Sequence, residues 1–212
     1  MRPIICLGDS ITGGQDLRLY LKWPGVLAAM LAARCGEAAP AVINCGIPGD
    51  DSGGMLVRLA DQVLAARPSL VVLLGGGNDT ARGIPRERTA ANLAAIAAQV
   101  VAAGAGLLGL QYHLVVHPEA EDQAWRHLPA NNDLLAAAVR AHGGRIVDTA
   151  GAMARAASAQ PPAELVAPDA VHLNPGGELV YARAVFDALE AGGWLPELAI
   201  RGPATRTTES AG

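Results

Sequence analysis

Short aliphatic runs alternate with longer amphipathic stretches along most of the chain. Each run is continuously apolar and ends at glycine or at polar residues, which is typical of parallel strands that are covered on both faces. The runs predict five strands: Pro3–Leu7, Ala41–Cys45, Leu70–Leu74, Leu107–Gln111 and Arg145–Val147. The amphipathic stretches predict five helices: Tyr20–Arg34, Ser52–Ala66, Arg86–Ala103, Leu128–His142 and Pro175–Ala191.

Two local signals support these boundaries. Arg67-Pro68 stops a helix before the third strand, and Asn174-Pro175 starts one, with Asn as the N-cap and Pro at the first helical position.

Strands that alternate with helices predict an α/β protein with three layers, α/β/α. We expect a flavodoxin-like, five-stranded parallel sheet with the order 2-1-3-4-5. One domain is expected over residues 1–198, with a flexible C-terminal tail over residues 199–212.

Composition narrows the class of protein further. Apolar residues make up 51% of the 212 positions, which excludes a mainly disordered chain. Aromatic residues make up only 3%, so the core must be largely aliphatic. Sixteen basic residues against twenty acidic ones give a net charge of −4, which argues against a nucleic-acid partner.

Three further observations concern redox state, membranes and location. The cysteines Cys6, Cys35 and Cys45 form no CxxC pair, which favours free thiols in a reducing compartment. The stretch from Leu93 to Leu110 is almost entirely apolar, but glycines at 104 and 106 break it into a helix, a turn and a strand, so we expect no membrane span. No secretory signal is visible at the start, and a cytoplasmic location is expected.

Polar or glycine-rich segments follow four of the predicted strand positions. They are Gly8-Asp9-Ser10-Ile11-Thr12, Asn44-Cys45-Gly46-Ile47-Pro48-Gly49-Asp50, Gly75-Gly76-Gly77-Asn78-Asp79 and Pro168-Asp169-Ala170-Val171-His172. Ligands of open parallel sheets bind beyond the carboxyl ends of the strands. The four segments are therefore expected to meet at one rim of the sheet.

The residue types in these segments suit acyl transfer. A serine hydroxyl is a weak nucleophile that needs an adjacent base, and His172 can serve Ser10 in that role. Asp169, three residues before His172, can accept the other ring N–H and fix the tautomer. The developing oxyanion needs prearranged donors. The candidates are the backbone N–H groups of Ser10 and Gly49 and the side-chain amide of Asn78.

The four segments, in this order, resemble the blocks of the GDSL, or SGNH, hydrolase superfamily. The blocks match as G-D-S at Ser10, N-x-G-x-x-G-D around Gly49, G-G-N-D at Asn78, and D-x-x-H at Asp169 and His172. Trp23-Pro24 also resembles the bacterial esterase and thioesterase branch. The resemblance implies a serine hydrolase domain that requires no metal or organic cofactor. The G-x-S-x-G elbow of ordinary α/β-hydrolases is absent.

Several residues carry weaker predictions. Asp9 and Asp79 are expected to brace the turns that hold Ser10 and Asn78. Gln15, Tyr112 and Trp125 are candidate substrate-binding residues, and Trp125 is as well explained by pinning its loop to the domain. His113 and His117 have a spacing that metal ligands use, but Pro118 follows at once, so we expect no metal site.

The expected function is hydrolysis of small carboxylic esters, with short acyl groups preferred because no large hydrophobic lid is evident. A carbohydrate acetylesterase and a lysophospholipase or acyl-thioesterase remain open as alternatives. So does a catalytically silent module that binds a ligand at the same rim. A nucleotide-binding, flavodoxin-like domain is disfavoured because no G-x-G-x-x-G or Walker pattern is present. The sequence predicts nothing about the oligomeric state.

Overall fold

The structure is a computed structural model. It describes residues 2–14, 21–120 and 124–195, and at positions 124 and 125 it describes the backbone alone. Five short strands form one sheet. They are β1 (Ile4–Gly8), β2 (Val42–Gly46), β3 (Leu70–Leu73), β4 (Gly106–Leu110) and β5 (Arg145–Val147). The predicted tail and Gln15 lie outside the described residues, as does the side chain of Trp125.

Nine α-helices occur in the described part of the chain. They are α1 (Ser10–Gly13), α2 (Trp23–Cys35), α3 (Ser52–Arg58), α4 (Gly77–Ala81), α5 (Arg86–Ala102), α6 (Asn132–Ala141), α7 (Thr149–Ala157), α8 (Pro162–Leu165) and α9 (Pro175–Ala191). Short 3₁₀ turns over Gly36–Ala38 and Ala124–Asn131 follow α2 and precede α6.

All neighbouring strands are parallel, and their order is β2-β1-β3-β4-β5. The predicted fold class and strand order are therefore confirmed. Ile4 of β1 pairs with Val42 on one side and Leu70 on the other, so β1 is a central strand. The chain reverses its direction of winding between β1 and β3, which opens a crevice beyond the carboxyl ends of these two strands.

Two apolar cores cover the two faces of the sheet. Alternate residues of β1 point to opposite faces: Ile4 and Cys6 belong to one core, and Ile5 and Leu7 to the other. Helices α2, α7 and α9 close the first core, while α3, α5 and α6 close the second. Trp23 and Tyr181, both fully buried, are among the largest side chains of the first core. This arrangement is the predicted three-layer α/β/α architecture.

The short helices α1, α4 and α8 were not predicted, and three longer helical regions also differ from the predictions. The helix predicted over Ser52–Ala66 is α3 only as far as Arg58, then a π-helical turn over Leu59–Val63 and a 3₁₀ turn over Leu64–Ala66. The helix predicted over Leu128–His142 begins later, at Asn132, because its first turn is 3₁₀. The helix α7 was not predicted, because its nine residues are fewer than the about 11–18 over which a helical period can be recognised.

The apolar stretch from Leu93 to Leu110 divides as the sequence indicates. Helix α5 ends at Ala102, a glycine with a φ of +71° follows at Gly104, and β4 begins at Gly106. In the part of the chain that the structure describes, no helix is both long enough and apolar enough to cross a membrane.

Candidate active site

Ser10 is the first residue of α1, immediately beyond β1. Its position is fixed by Asp9, which caps this short helix: Asp9 Oδ1 accepts a hydrogen bond from the backbone N–H of Ile11 at 2.9 Å. Gly8 allows the turn to close, since a Cβ there would lie 2.3 Å from Oγ1 of Thr12. The turn places Ser10 at the sheet rim with 8% of its surface exposed.

Asp169 and His172 share a tight turn between α8 and α9. Asp169 Oδ1 accepts hydrogen bonds from the backbone N–H groups of Val171 (2.8 Å) and His172 (2.9 Å). Ala170, between them, has a φ of +55°, a left-handed conformation that is uncommon for a residue with a side chain. The turn therefore brings the carboxylate beside the imidazole ring.

The three predicted catalytic residues form one chain of hydrogen bonds. His172 Nδ1 lies 2.7 Å from Asp169 Oδ2, and His172 Nε2 lies 2.9 Å from Ser10 Oγ. An ionised carboxylate can only accept, so Nδ1 carries the proton of the neutral ring and Nε2 faces Ser10 as the acceptor. The arrangement suits removal of the Ser10 proton by His172.

The electrostatics of Asp169 suit this tautomer. Partial burial acts to raise the pKa of Asp169, but the hydrogen bonds from the His172 ring and from the backbone of His172 and Val171 outweigh it. The net effect is that the pKa lies below the usual carboxyl value. Asp169 is therefore ionised wherever an imidazole is neutral.

The two other predicted oxyanion donors lie on neighbouring segments. Gly49 follows β2 and has a φ of +75°, which glycine adopts without strain. Asn78, in α4, donates one Nδ2 hydrogen to the carbonyl of Asp50 at 2.9 Å. An amide has two N–H donors, so the second hydrogen of Asn78 remains for a substrate oxygen.

Asp79 follows Asn78 in α4 and contacts two other helices. It is fully buried and accepts hydrogen bonds from the backbone N–H and the hydroxyl of Ser52 and, at 3.0 Å, from the hydroxyl of Thr89. These contacts tie α4 to the first turn of α3 and to α5.

Tyr112 does not line the rim, although the sequence made it a candidate for substrate binding. Its side chain is fully buried, and its hydroxyl donates to Asp9 Oδ2 at 2.6 Å. Burial raises the pKa of both groups, in Tyr112 well above the usual phenol value, and the neighbouring Asp9 carboxylate acts in the same direction on Tyr112. Asp9 thus contacts both the nucleophile turn, through the N–H of Ile11, and Tyr112.

Arg58 is a buried residue that sequence analysis missed. Its guanidinium donates to the carbonyls of Gly8 (3.1 Å) and Cys45 (2.7 Å), at the ends of β1 and β2, and pairs with Asp50 at 2.7 Å. Arg58 thus joins the segments that carry Ser10 and Gly49. The available signal was its position three residues after the buried Met55, on the apolar side of α3.

Lys22 and Glu178 form a second buried element that sequence analysis missed. Lys22, the one lysine of the sequence, pairs with Glu178, and neither side chain is more than 2% exposed. The second carboxylate oxygen of Glu178 accepts from the backbone N–H of Trp23 at 2.7 Å. Burial raises the pKa of Glu178, and the charge and hydrogen bond of Lys22 oppose this. The pair fixes the start of α2 to α9.

Among the residues that the structure describes, no group of three or more His, Cys, Asp or Glu side chains is placed to hold a metal ion, and this includes the surroundings of His113 and His117. His113 is buried and its Nε2 lies 3.0 Å from the carbonyl of Val171. His117 Nδ1 accepts from the backbone N–H of Glu119 at 3.1 Å. Glu121 and Asp122 lie outside the described residues.

The family model of the GDSL-like lipase/acylhydrolase family matches residues 6–179, which is well over half of the chain. The chain belongs to this family. The match includes every predicted catalytic and oxyanion residue of this GDSL-like protein.

Individual relatives agree with the family. Over 112 residues the GDSL-like chain is 36% identical to the esterase TesA of Pseudomonas aeruginosa, covering 52% of this chain and 55% of TesA. It is 32% identical over 111 residues to thioesterase 1/protease 1/lysophospholipase L1 of Escherichia coli K12, covering 52% and 51%. The alignments thus span about half the length of these curated relatives.

A solved structure covers nearly the whole chain. LAE5, an alpha/beta hydrolase enzyme from the metagenome of Lake Arreo in Spain, superposes with a TM-score of 0.76 at 26% identity. The superposition covers 92% of this chain and 97% of LAE5. The GDSL-like fold therefore extends well beyond the part that aligns in sequence with the curated relatives.

Proposed function

We propose that the protein is a serine hydrolase that cleaves carboxylic esters, with a preference for short acyl groups. The observation that carries the proposal is the uninterrupted chain of hydrogen bonds from Ser10 through His172 to Asp169. Membership of the family and the names of its esterase and thioesterase relatives support the same class of reaction.

Acylation follows from the placement of the ring nitrogens. Ser10 Oγ attacks the ester carbonyl carbon while His172 Nε2 takes its proton. The negative charge moves to the carbonyl oxygen, where the backbone N–H groups of Ser10 and Gly49 and the Asn78 amide are the donors. The intermediate then expels the alcohol oxygen, which takes the proton from His172, and the acyl group remains on Ser10.

Deacylation uses the same groups in reverse. Water attacks the acyl carbonyl carbon as His172 Nε2 takes one of its protons. The second intermediate releases the carboxylic acid and Ser10 Oγ recovers the proton from His172. Asp169 stays ionised throughout, because it stabilises the imidazolium without receiving its proton.

The deciding experiment is labelling with a fluorophosphonate, followed by peptide mapping and by hydrolysis of p-nitrophenyl acetate. We expect the adduct on Ser10, and loss of both labelling and hydrolysis in Ser10→Ala. Ser158→Ala is the matched control, since this exposed serine donates to the carbonyl of Ala154 at the end of α7. Hydrolysis that survives in folded Ser10→Ala would refute the mechanism, and an unlabelled wild-type protein would favour a silent binding module.

A carbohydrate acetylesterase is the second candidate, because a partly polar groove adjoins the segment that carries Gly49. The groove has a volume of about 420 Å³ and begins at Asp51, which caps α3 two residues after Gly49. Arg88 and Asn92 also line it, together with Ile84 and Pro85. Such side chains suit a hydroxyl-rich leaving group.

Competing substrates separate the candidates. A series of p-nitrophenyl esters of increasing acyl length should show the highest kcat/KM at the shortest chains. Acetylated oligosaccharides and acyl thioesters are then compared with it at equal concentration. A preference for acetylated oligosaccharides that Arg88→Ala and Asn92→Ala reduce would establish the second candidate, and a preference for long acyl groups would refute both.

A further inference from the structure

The two residues Tyr112 and His113 lie just beyond β4, after Gln111, and reach two different parts of the candidate active site. Both side chains are buried, at 0% and 1% exposure. The sequence separation between Tyr112 and its partner Asp9 is 103 residues, and between His113 and its partner Val171 it is 58. Neither contact is therefore a consequence of local chain geometry.

Tyr112 links the nucleophile turn to the segment of Asn78. Its hydroxyl donates to Asp9 Oδ2, while Asp9 Oδ1 holds the N–H of Ile11 one residue after Ser10. Its ring packs against Gly77, where a Cβ would lie 2.9 Å from the nearest ring carbon. Gly77 precedes Asn78, so one side chain contacts the neighbours of both Ser10 and an oxyanion donor.

His113 holds the turn that carries the base. A carbonyl can only accept, so the contact of His113 Nε2 with the carbonyl of Val171 places a proton on Nε2. The N–H of Val171 donates in turn to Asp169, and Val171 precedes His172. The position of the His172 ring therefore depends on a hydrogen bond from His113.

We propose that Tyr112 and His113 together are positioning residues that hold the nucleophile turn, the Asn78 segment and the base turn in register. The proposal rests on the proposed hydrolase function and explains how turns from distant parts of the chain keep their mutual distances. Both side chains are buried, so neither touches substrate. A misplacement of about 1 Å in such a site can lower the rate about 100-fold.

The test for Tyr112 is Tyr112→Phe, which removes the hydroxyl and keeps the ring against Gly77. The matched control is Tyr181→Phe, because Tyr181 is equally buried and donates to a backbone carbonyl, that of Gln111, at 2.8 Å. With p-nitrophenyl acetate we expect kcat of Tyr112→Phe to fall about tenfold or more while KM changes little. The rate of fluorophosphonate labelling should fall equally, and Tyr181→Phe should keep both rates.

The test for His113 compares two substitutions. His113→Leu removes the donor to Val171, and His113→Gln retains an N–H donor of similar reach. We expect the leucine variant to lose about tenfold or more in kcat and the glutamine variant to recover most of it. A purely structural role would instead lower the melting temperature and leave kcat of the folded fraction unchanged.

The outcomes distinguish this proposal from the function on which it rests. If Ser10→Ala is inactive but Tyr112→Phe and His113→Leu match wild type in kcat, positioning is refuted and the hydrolase function stands. If Tyr112→Phe and Tyr181→Phe lose kcat to the same extent, the effect is general to the core and positioning is again refuted. If Ser10→Ala keeps its activity, the hydrolase mechanism itself fails.

Discussion

His172 Nε2 lies 2.9 Å from Ser10 Oγ, although 162 residues separate the two in sequence. Ser10 is held by the central strand β1, whereas His172 belongs to a turn just before the last helix, α9. Different hydrogen bonds therefore hold Ser10 and His172 in place. Those around His172 share one acceptor, the carboxylate of Asp169.

Asp169→Asn should lower kcat about 10⁴-fold. An asparagine can still accept from the backbone N–H groups of Val171 and His172, so the turn is retained. Its amide N–H₂ would donate to His172 Nδ1 and leave the proton on Nε2, where the ring can no longer accept from Ser10. The measurement is kcat for p-nitrophenyl acetate in the folded variant.

The matched control for this prediction is Asp148→Asn. Asp148 also caps a turn, since its side chain accepts from the N–H of Gly151 at the start of α7, but it contacts neither Ser10 nor His172. Its kcat should stay close to wild type. A similar loss in both variants, or an Asp169→Asn variant with wild-type kcat, would contradict the role of Asp169.

The pH dependence should separate activity from the stability that Asp169 supplies. The pKa of Asp169 is lowered because the hydrogen bonds to its carboxylate outweigh the effect of partial burial. A lowered folded-state pKa gives stabilisation that is complete above the unfolded value of about 3.9 and is lost as the pH falls through the folded value. Activity should fall earlier on acidification, because His172 Nε2 must be free of a proton to accept that of Ser10.

Two pH series check this order. The first is kcat/KM of the wild type, whose acid limb should be reversible and occur while the protein is still folded. The second is the difference in melting temperature between wild type and Asp169→Asn, which should be constant above about pH 4 and shrink below it. A difference that shrinks already near neutral pH would show that the pKa of Asp169 is not lowered.

Much of the fold could be predicted because its strands are continuous apolar runs that end in glycine or polar residues. The same property placed the four candidate segments at one rim. The break of α3 after Arg58 could not be predicted, since this arginine donates to Gly8, 50 residues earlier in the chain. Helical periodicity identifies a buried face but does not reveal which distant carbonyls a charged side chain will meet.

The sequence identified candidate catalytic residues, but it did not reveal most of the buried side chains that hold the candidate site in place. Tyr112 stands at the entry of a loop, which made its ring a plausible substrate contact. Its partner Asp9 is 103 residues away, and the two meet only because β4 pairs with β3, which pairs in turn with β1. Lys22 and Glu178 were missed for the same reason, because nothing local in either sequence segment marks a buried pair.

Asn78→Ala should lower kcat about 10²–10³-fold with little change in KM, since an oxyanion donor acts mainly on the transition state. The contact with the carbonyl of Asp50 already holds the amide in place, so little reorganisation is needed during the reaction. Asn174→Ala is the matched control, because Asn174 also donates from its side-chain amide to backbone carbonyls, those of Ala163 (2.6 Å) and Val166 (3.0 Å), and is not one of the predicted oxyanion donors. Equal losses in the two variants would contradict an oxyanion role for Asn78.

Lys22→Met should destabilise the protein by about 3–5 kcal/mol, because it leaves the buried carboxylate of Glu178 without its partner. The double variant Lys22→Met/Glu178→Gln should lose less. Its neutral amide carries no buried charge, and the amide oxygen can still accept from the N–H of Trp23. Urea unfolding of the three proteins gives the free energies directly.

The pH dependence of the single variant provides a second check on the buried pair. Burial raises the pKa of Glu178 and Lys22 opposes this, so removal of Lys22 should raise the pKa further. Between the unfolded and the raised folded value the native state binds more protons, and stability therefore increases as the pH falls. The stability of Lys22→Met, measured relative to the double variant, should accordingly improve as the pH falls from neutral towards the unfolded value of about 4.3. If the difference in unfolding free energy between Lys22→Met and the double variant does not change with pH, Glu178 is not left as a buried charge when Lys22 is removed.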